Sequence, residues 1–155
     1  MDRFLLKLRV GYPGRDEERL VLERMSGRDV PSVRPVITPD EILAMQDVVD
    51  AVFVDEKIKD YVLDLVFATR DPEASGLDIG PLIAYGASPR ATLALTRAAR
   101  ARALMQGRTY VVPEDVKAVG LPVLRHRILL TYEAEAQQKS SDDIVNHLFD
   151  HVEVP

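Results

Sequence analysis

The stretch "YGASPRATLALTRAARARALMQG", Tyr85 to Gly107, decides how this chain is read. Ser88 followed by Pro89 is a helix start: a hydroxyl that caps free amides, then a proline whose fixed φ suits the first turn. The spacing predicts a helix over Ser88–Gln106. Arg90 is out of place in it, because a cation in the first turn meets the positive end of the helix dipole and costs about 0.3–1 kcal/mol. Arg97, Arg100, Arg102 and Arg108 follow with no acid among them, in a chain of formal net charge −5. At 100° per residue, Leu93, Ala94, Ala98, Ala101, Leu104 and Met105 fill one broad arc. Arg90 and Arg97 lie inside it and the other three arginines towards its edges or beyond. The expectation is a packing face that contains two arginines. Arg97 reads as snorkelling or acid-paired. Arg90 reads either as structural or as a guanidinium reaching past the core into a cleft, where its planar donors suit phosphate.

Outward from this helix the chain punctuates itself clearly. "TPDEILAMQDVVDAV" has Thr38 as cap, Pro39 first and Glu41 closing a capping box, with Ile42, Met45, Val49 and Val52 at helical spacing. Asp55 caps a second helix over Glu56–Thr69, with Ile58, Tyr61, Val62, Leu65 and Val66 on one face. "DPEASGLDIGPLIAYGA" reads as a loop. Thr109–Val112 reads as a short strand, Pro113–Val119 as a short helix, and Ile128–Tyr132 as a second strand that would make a two-stranded hairpin with the first. "EAEAQQKSSD" reads as a mobile polar link, and Ser141–His151 as a last helix with Ile144, Leu148 and Phe149 inward. At the other end, Arg3–Pro13 alternates like a strand and closes on a Gly-Tyr-Pro turn, followed by a short charged helix in "GRDEERLVLERM". The Pro/Gly/Ser-punctuated connector "SGRDVPSVRPV" divides residues 1–30 from residues 31–155.

Composition limits the function. The apolar share, 46% of 155 residues, supports a core. The negative charge argues against a nucleic-acid or anionic-membrane binder. The absence of cysteine excludes disulfides and thiolate metal sites, and with no signal peptide or membrane span legible, a soluble cytoplasmic protein is expected. The one Lys-Ser/Thr pair, Lys139-Ser140, has no preceding glycines, so there is no P-loop in the chain. His147 and His151, with Asp143 a turn earlier, could clip a metal, but two histidines near a helix C-terminus are explained by the dipole; no metal site is assigned. Asp142-Asp143 and Glu17-Glu18 are first-turn acids rather than acid/base pairs.

Taken together, "YGASPRATLALTRAARARALMQGRTYVVPEDVKAVGLPVLRHRILLTYEAEA", "DRFLLKLRVGYP", "RPVITPDEI" and "FDHVEVP" closely resemble the C-terminal part of MoxR-type AAA+ ATPases over nearly the whole chain. The resemblance implies a mainly α fold: a small helical-bundle lid with a short two-stranded hairpin over residues 31–155. Before it, residues 1–30 would be one strand and helix left over from an α/β AAA+ core. It implies that Ser88-Pro89-Arg90 is the sensor 2 motif, with Arg90 on the γ-phosphate of its own subunit's nucleotide. Arg3, in "DRF", matches the arginine finger that reaches the neighbouring subunit's nucleotide. ATP with Mg2+ would be the cofactor, with the Mg2+ ligands outside this stretch, and the partners would be copies of itself in a ring of six plus a client protein that is remodelled or assembled. Walker A, Walker B and sensor 1 belong upstream of Asp2, so this piece alone is not expected to hydrolyse ATP. The rival is a non-enzymatic helical interaction module, such as a winged-helix-like nucleic-acid binder built on the Thr109–Val112/Ile128–Tyr132 hairpin.

Overall fold

The computed structural model describes residues 2–26 and 32–155. The described residues form seven α-helices, α1 (Arg15–Met25), α2 (Pro39–Asp50), α3 (Glu56–Ala68), α4 (Pro89–Met105), α5 (Pro113–Leu124), α6 (Tyr132–Ala136) and α7 (Ser141–His151), and a two-stranded antiparallel sheet of β1 (Ile83–Tyr85) and β2 (Leu129–Leu130). The mainly helical architecture with one small sheet agrees with the sequence reading. The division at residues 30/31 lies outside the described residues.

Helix α4 is the centre of the bundle, packed against α5, α3 and α2. Its buried residues are Ala91, Ala94, Leu95, Ala98, Ala99 and Ala103. This set recurs at i, i+3, i+4, i+7, i+8 and i+12, so it is one helix face of five alanines and Leu95, small enough to let α3 and α5 approach closely. The predicted arc was rotated from the true one: Leu93 is 60% and Met105 84% exposed, and Arg90 and Arg97 are exposed beside Leu93. Ala94 and Ala98 of the expected arc are buried, whereas its large members Leu93 and Met105 are not, because the small residues make the packing face.

The loop entering α4 is pinned to the end of α3. Thr69 is fully buried; its hydroxyl donates to the Val66 carbonyl (2.6 Å) and accepts the Ala87 N–H (2.9 Å), while Arg70 Nε donates to the Ala87 carbonyl (2.7 Å). Gly86 passes so close that a Cβ would sit 2.3 Å from the Thr69 carbonyl oxygen, which is backbone and cannot rotate away. Gly86→Ala is therefore expected to destabilise the fold by about 1–3 kcal/mol. Urea unfolding measures this, and a midpoint unchanged from wild type would contradict the close approach.

Several local expectations fail for identifiable reasons. Residues 3–10 form no strand: a turn and bend open the segment, and residues 6–10 have no regular structure and no ladder partner among the described residues. Its backbone instead donates once, from Lys7 N–H to the Pro122 carbonyl (2.8 Å). The strand pair also has a different first member. β2 pairs with β1, from the segment read as a loop, whereas Tyr110 makes only an isolated parallel bridge to Phe53. Helix α5 runs through Gly120 and Pro122 instead of stopping at Val119, because Val123 and Leu124 are buried beyond them and the Phe149 ring lies where a Gly120 Cβ would be. The link after Tyr132 is ordered as α6, with Thr131 capping the Ala134 amide (3.3 Å) and Ala134 buried. Helix α7 matches its predicted span; Ile144, Val145 and Leu148 are its buried residues and Phe149 is half-buried.

Candidate functional site

Five of the helices with eight or more residues, α1, α2, α3, α5 and α7, carry acids in the first turn; α4 carries none. Its N-cap, Ser88, has extended backbone (φ −76°, ψ 171°) and a hydroxyl that accepts the Arg90 N–H at 3.2 Å. The same hydroxyl donates to Asp2 Oδ2 at 2.7 Å, so the start of α4 is tied to the start of the described chain. Where these segments meet, a cavity of about 440 Å³ is lined by Asp2, Arg3, Leu5, Arg90, Leu93, Ala94 and Arg97. The structure thus brings Arg3 and Arg90 together, 87 residues apart in sequence; Ser88 and Pro89, the two residues before Arg90, are not among the lining residues.

Among the described residues, none of Arg3, Arg90 and Arg97 has an ion-pair partner, so Arg97 is neither acid-paired nor packed away. The one acid on the cavity wall, Asp2, is already engaged by Ser88 and by Arg127 Nε at 3.2 Å. Three guanidiniums and a helix N-terminus without an acid make a place for a polyanion of phosphate type.

The remaining arginines of the run are structural. Arg100 approaches Asp50 (3.8 Å) and Arg102 approaches Asp115 (3.8 Å). Arg108 grips Asp115 with both oxygens at 2.6 Å, and Asp115 also accepts the Val112 N–H (3.0 Å) at the start of α5. Burial alone would raise the Asp115 carboxyl. The Arg108 and Val112 hydrogen bonds, with the charges of Arg108 and Arg102, outweigh burial and hold it below the usual carboxylate range.

The acid pairs and histidines behave as helix furniture. Asp143 closes a capping box with Ser140, Glu17 accepts the Gly14 N–H, and Asp142 pairs with Arg9 (3.0 Å) and Arg125 (3.1 Å). The His147 and His151 rings stack at 4.0 Å, and among the described residues no group of three or more potential ligands gathers for a metal ion.

The sequence reading missed the residues that hold the first segment in place. After α5, Arg125, His126 and Arg127 all reach residues 2–7. Arg127, 6% exposed, donates to the carbonyls of Asp2 (3.2 Å), Leu5 (3.1 Å), Phe4 and Val123. His126 Nε2–H donates to the Phe4 carbonyl (3.0 Å), and Arg125 reaches the Lys7 carbonyl (3.5 Å). Burial pushes the His126 imidazole below its ordinary value. The Phe4 carbonyl opposes the shift, the charges of Arg127 and Lys7 reinforce it, and Asp2 opposes it. The signal was present in "VLRHRI": three basic side chains at a helix end exceed what the dipole needs.

The profile of the AAA lid domain matches residues 77–148. The chain is 43% identical to the chaperone MoxR1 of Mycobacterium tuberculosis over 155 residues, covering 99% of this chain and 41% of that protein. It is 34% identical to the protein MoxR of Paracoccus denitrificans over 151 residues, covering 90% of this chain and 44% of that protein. A crystal structure from Cytophaga hutchinsonii, described as a "putative ATPase", superposes with a TM-score of 0.94 at 36% identity, over 99% of this chain and 47% of that one. The chain therefore spans just under half the length of these relatives.

Proposed function

This chain belongs to the MoxR-type AAA+ ATPases and carries their AAA lid domain, and from that premise we propose that its cationic cavity is the lid side of an ATP site. Residues 31–155 are the lid and residues 1–30 the end of the α/β core. The whole protein binds and hydrolyses ATP with Mg2+, in the cytoplasm, as a ring of six subunits, and uses the cycle to remodel or assemble client proteins. Nucleic acid is not a partner in this reading. Within it, Ser88 and Pro89 set the start of α4, and Arg90 grips the γ-phosphate of its own subunit's nucleotide as sensor 2. Arg3 is the finger that reaches the neighbour's nucleotide. Both guanidiniums stabilise charge that spreads over the transferred phosphoryl group. Movement of the lid follows from Arg90 having a phosphate to grip before hydrolysis and none after it.

The observation that carries this reading is the convergence of Arg3 and Arg90, without acid partners among the described residues, on one cavity at an acid-free helix start. The shared cavity also favours a second reading of Arg3, in which both guanidiniums address one nucleotide. A mixing experiment on the full-length protein separates the two. Rings of Arg3→Ala subunits are expected to keep only a small residual turnover. When they are mixed with subunits whose P-loop lysine is replaced, activity returns if Arg3 acts in trans and stays low if it serves its own subunit. Arg3→Ala rings that hydrolyse ATP at the wild-type rate would overturn both readings.

A further inference from the structure

Asp2 sits at a junction that its sequence position does not advertise. One carboxylate oxygen, Oδ2, accepts the Ser88 hydroxyl at 2.7 Å; the other lies 3.2 Å from Arg127 Nε. Ser88 Oγ in turn accepts the Arg90 N–H, and the side chain of Arg127 is 2% exposed. The neighbours of this bridge are two of the cavity's three arginines: Arg3 is the next residue after Asp2, and Arg90 lies two residues after Ser88. Arg127 also holds the backbone on either side of Arg3, through the carbonyls of Asp2 and Phe4. Arg125–Arg127 hold this segment to the end of α5, but among the described residues the Asp2–Ser88 hydrogen bond is the one polar contact that ties it to the start of α4.

We propose that Asp2 is a positioning residue: clamped between Ser88 and Arg127, it fixes the Arg3 guanidinium relative to Arg90 so that both meet phosphate in one geometry. The proposal rests on the reading of Arg3 and Arg90 as phosphate-contacting arginines, and it holds whether they serve one nucleotide or two. The bridge suits the task because it is charge-assisted at both ends. The hydroxyl–carboxylate hydrogen bond at one end is shorter and stronger than one between neutral groups, and the other end is an ion pair with a buried guanidinium. Misplacement of a catalytic group by about 1 Å costs on the order of 100-fold in rate, so a flexible Arg3 would lose most of its effect while still being present.

The test uses the full-length ATPase and a double-mutant cycle. Asp2→Asn keeps an oxygen for Ser88 but removes the charge that faces Arg127; it is expected to lower kcat by about 10–100-fold while KM for ATP moves less than about threefold. In the Arg3→Ala background the same Asp2→Asn change is expected to cost less than about twofold of the residual turnover, since Asp2 acts through Arg3. Asp2→Glu, which retains the charge, should recover part of the loss. Two results would overturn the proposal: wild-type kcat in Asp2→Asn, or an equal loss in both backgrounds, as a purely structural role gives. If Arg3→Ala is itself neutral, the reading of Arg3 fails instead, and the two failures are thereby distinct.

Discussion

Arg90→Ala in the full-length ATPase is expected to lower kcat by about 100- to 1,000-fold, the loss that follows removal of one preorganised donor from a developing charge. The fold should tolerate the change. Arg90 is exposed, has no ion pair among the described residues, and removing it also removes a cation from the positive end of α4. Relief of that dipole clash stabilises the helix by about 0.3–1 kcal/mol. Lower activity with equal or higher thermal stability is a combination that a structural arginine cannot produce, because losing a structural contact lowers both. Hydrolysis at the wild-type rate in Arg90→Ala would remove this side chain from the chemistry.

The second large effect is on stability, at Asp115→Asn. Asp115 is 1% exposed and joins three things: the Arg108 fork, the Val112 amide that opens α5, and Arg102 at longer range. Asparagine keeps one oxygen for the amide but leaves the Arg108 guanidinium without its counter-charge. Breaking a buried pair in this way costs about 3–5 kcal/mol, and the lower end applies here because Arg108 can still reach water. The pH dependence follows in sign. The folded Asp115 pKa lies below its unfolded value, near 3.9 for a free aspartate. Its contribution is present above that value and is lost as pH falls through the folded one. Urea midpoints for wild type should therefore drop more steeply below about pH 4 than those of Asp115→Asn, and parallel curves would contradict the pairing.

Much of this architecture was legible in the residues. Ser88-Pro89, Thr38-Pro39 with Glu41, and Asp55 each mark a helix start where the structure has one, and Asp142-Asp143 mark the first turn of α7, because capping and first-turn charge are local chemistry that neighbouring elements seldom override. Orientation was harder to read. The α4 face is set by α3 and α5 closing on alanines, so its direction depends on what packs against it and not on which residues are large. Partnerships across long separations were not legible at all: β1 with β2, or residues 2–7 with Arg125–Arg127, are chosen by the assembled fold. The site shows the same division. Arg90 could be singled out by its clash with the helix dipole. Asp2 and Arg127 could not, because each is ordinary until the other is beside it.

In the proposed role, Arg90 distinguishes a nucleotide that has a γ-phosphate from one that lacks it. The direct measurement is the Kd of a non-hydrolysable ATP analogue and of ADP for the full-length protein, wild type and Arg90→Ala, with Mg2+ present. The predicted result is that wild type prefers the ATP analogue, and that Arg90→Ala loses this preference by weakening the ATP analogue alone, about tenfold or more for one charge-assisted contact, while the Kd for ADP stays within about twofold. An Arg90→Ala protein that retains the full preference for the ATP analogue would contradict it.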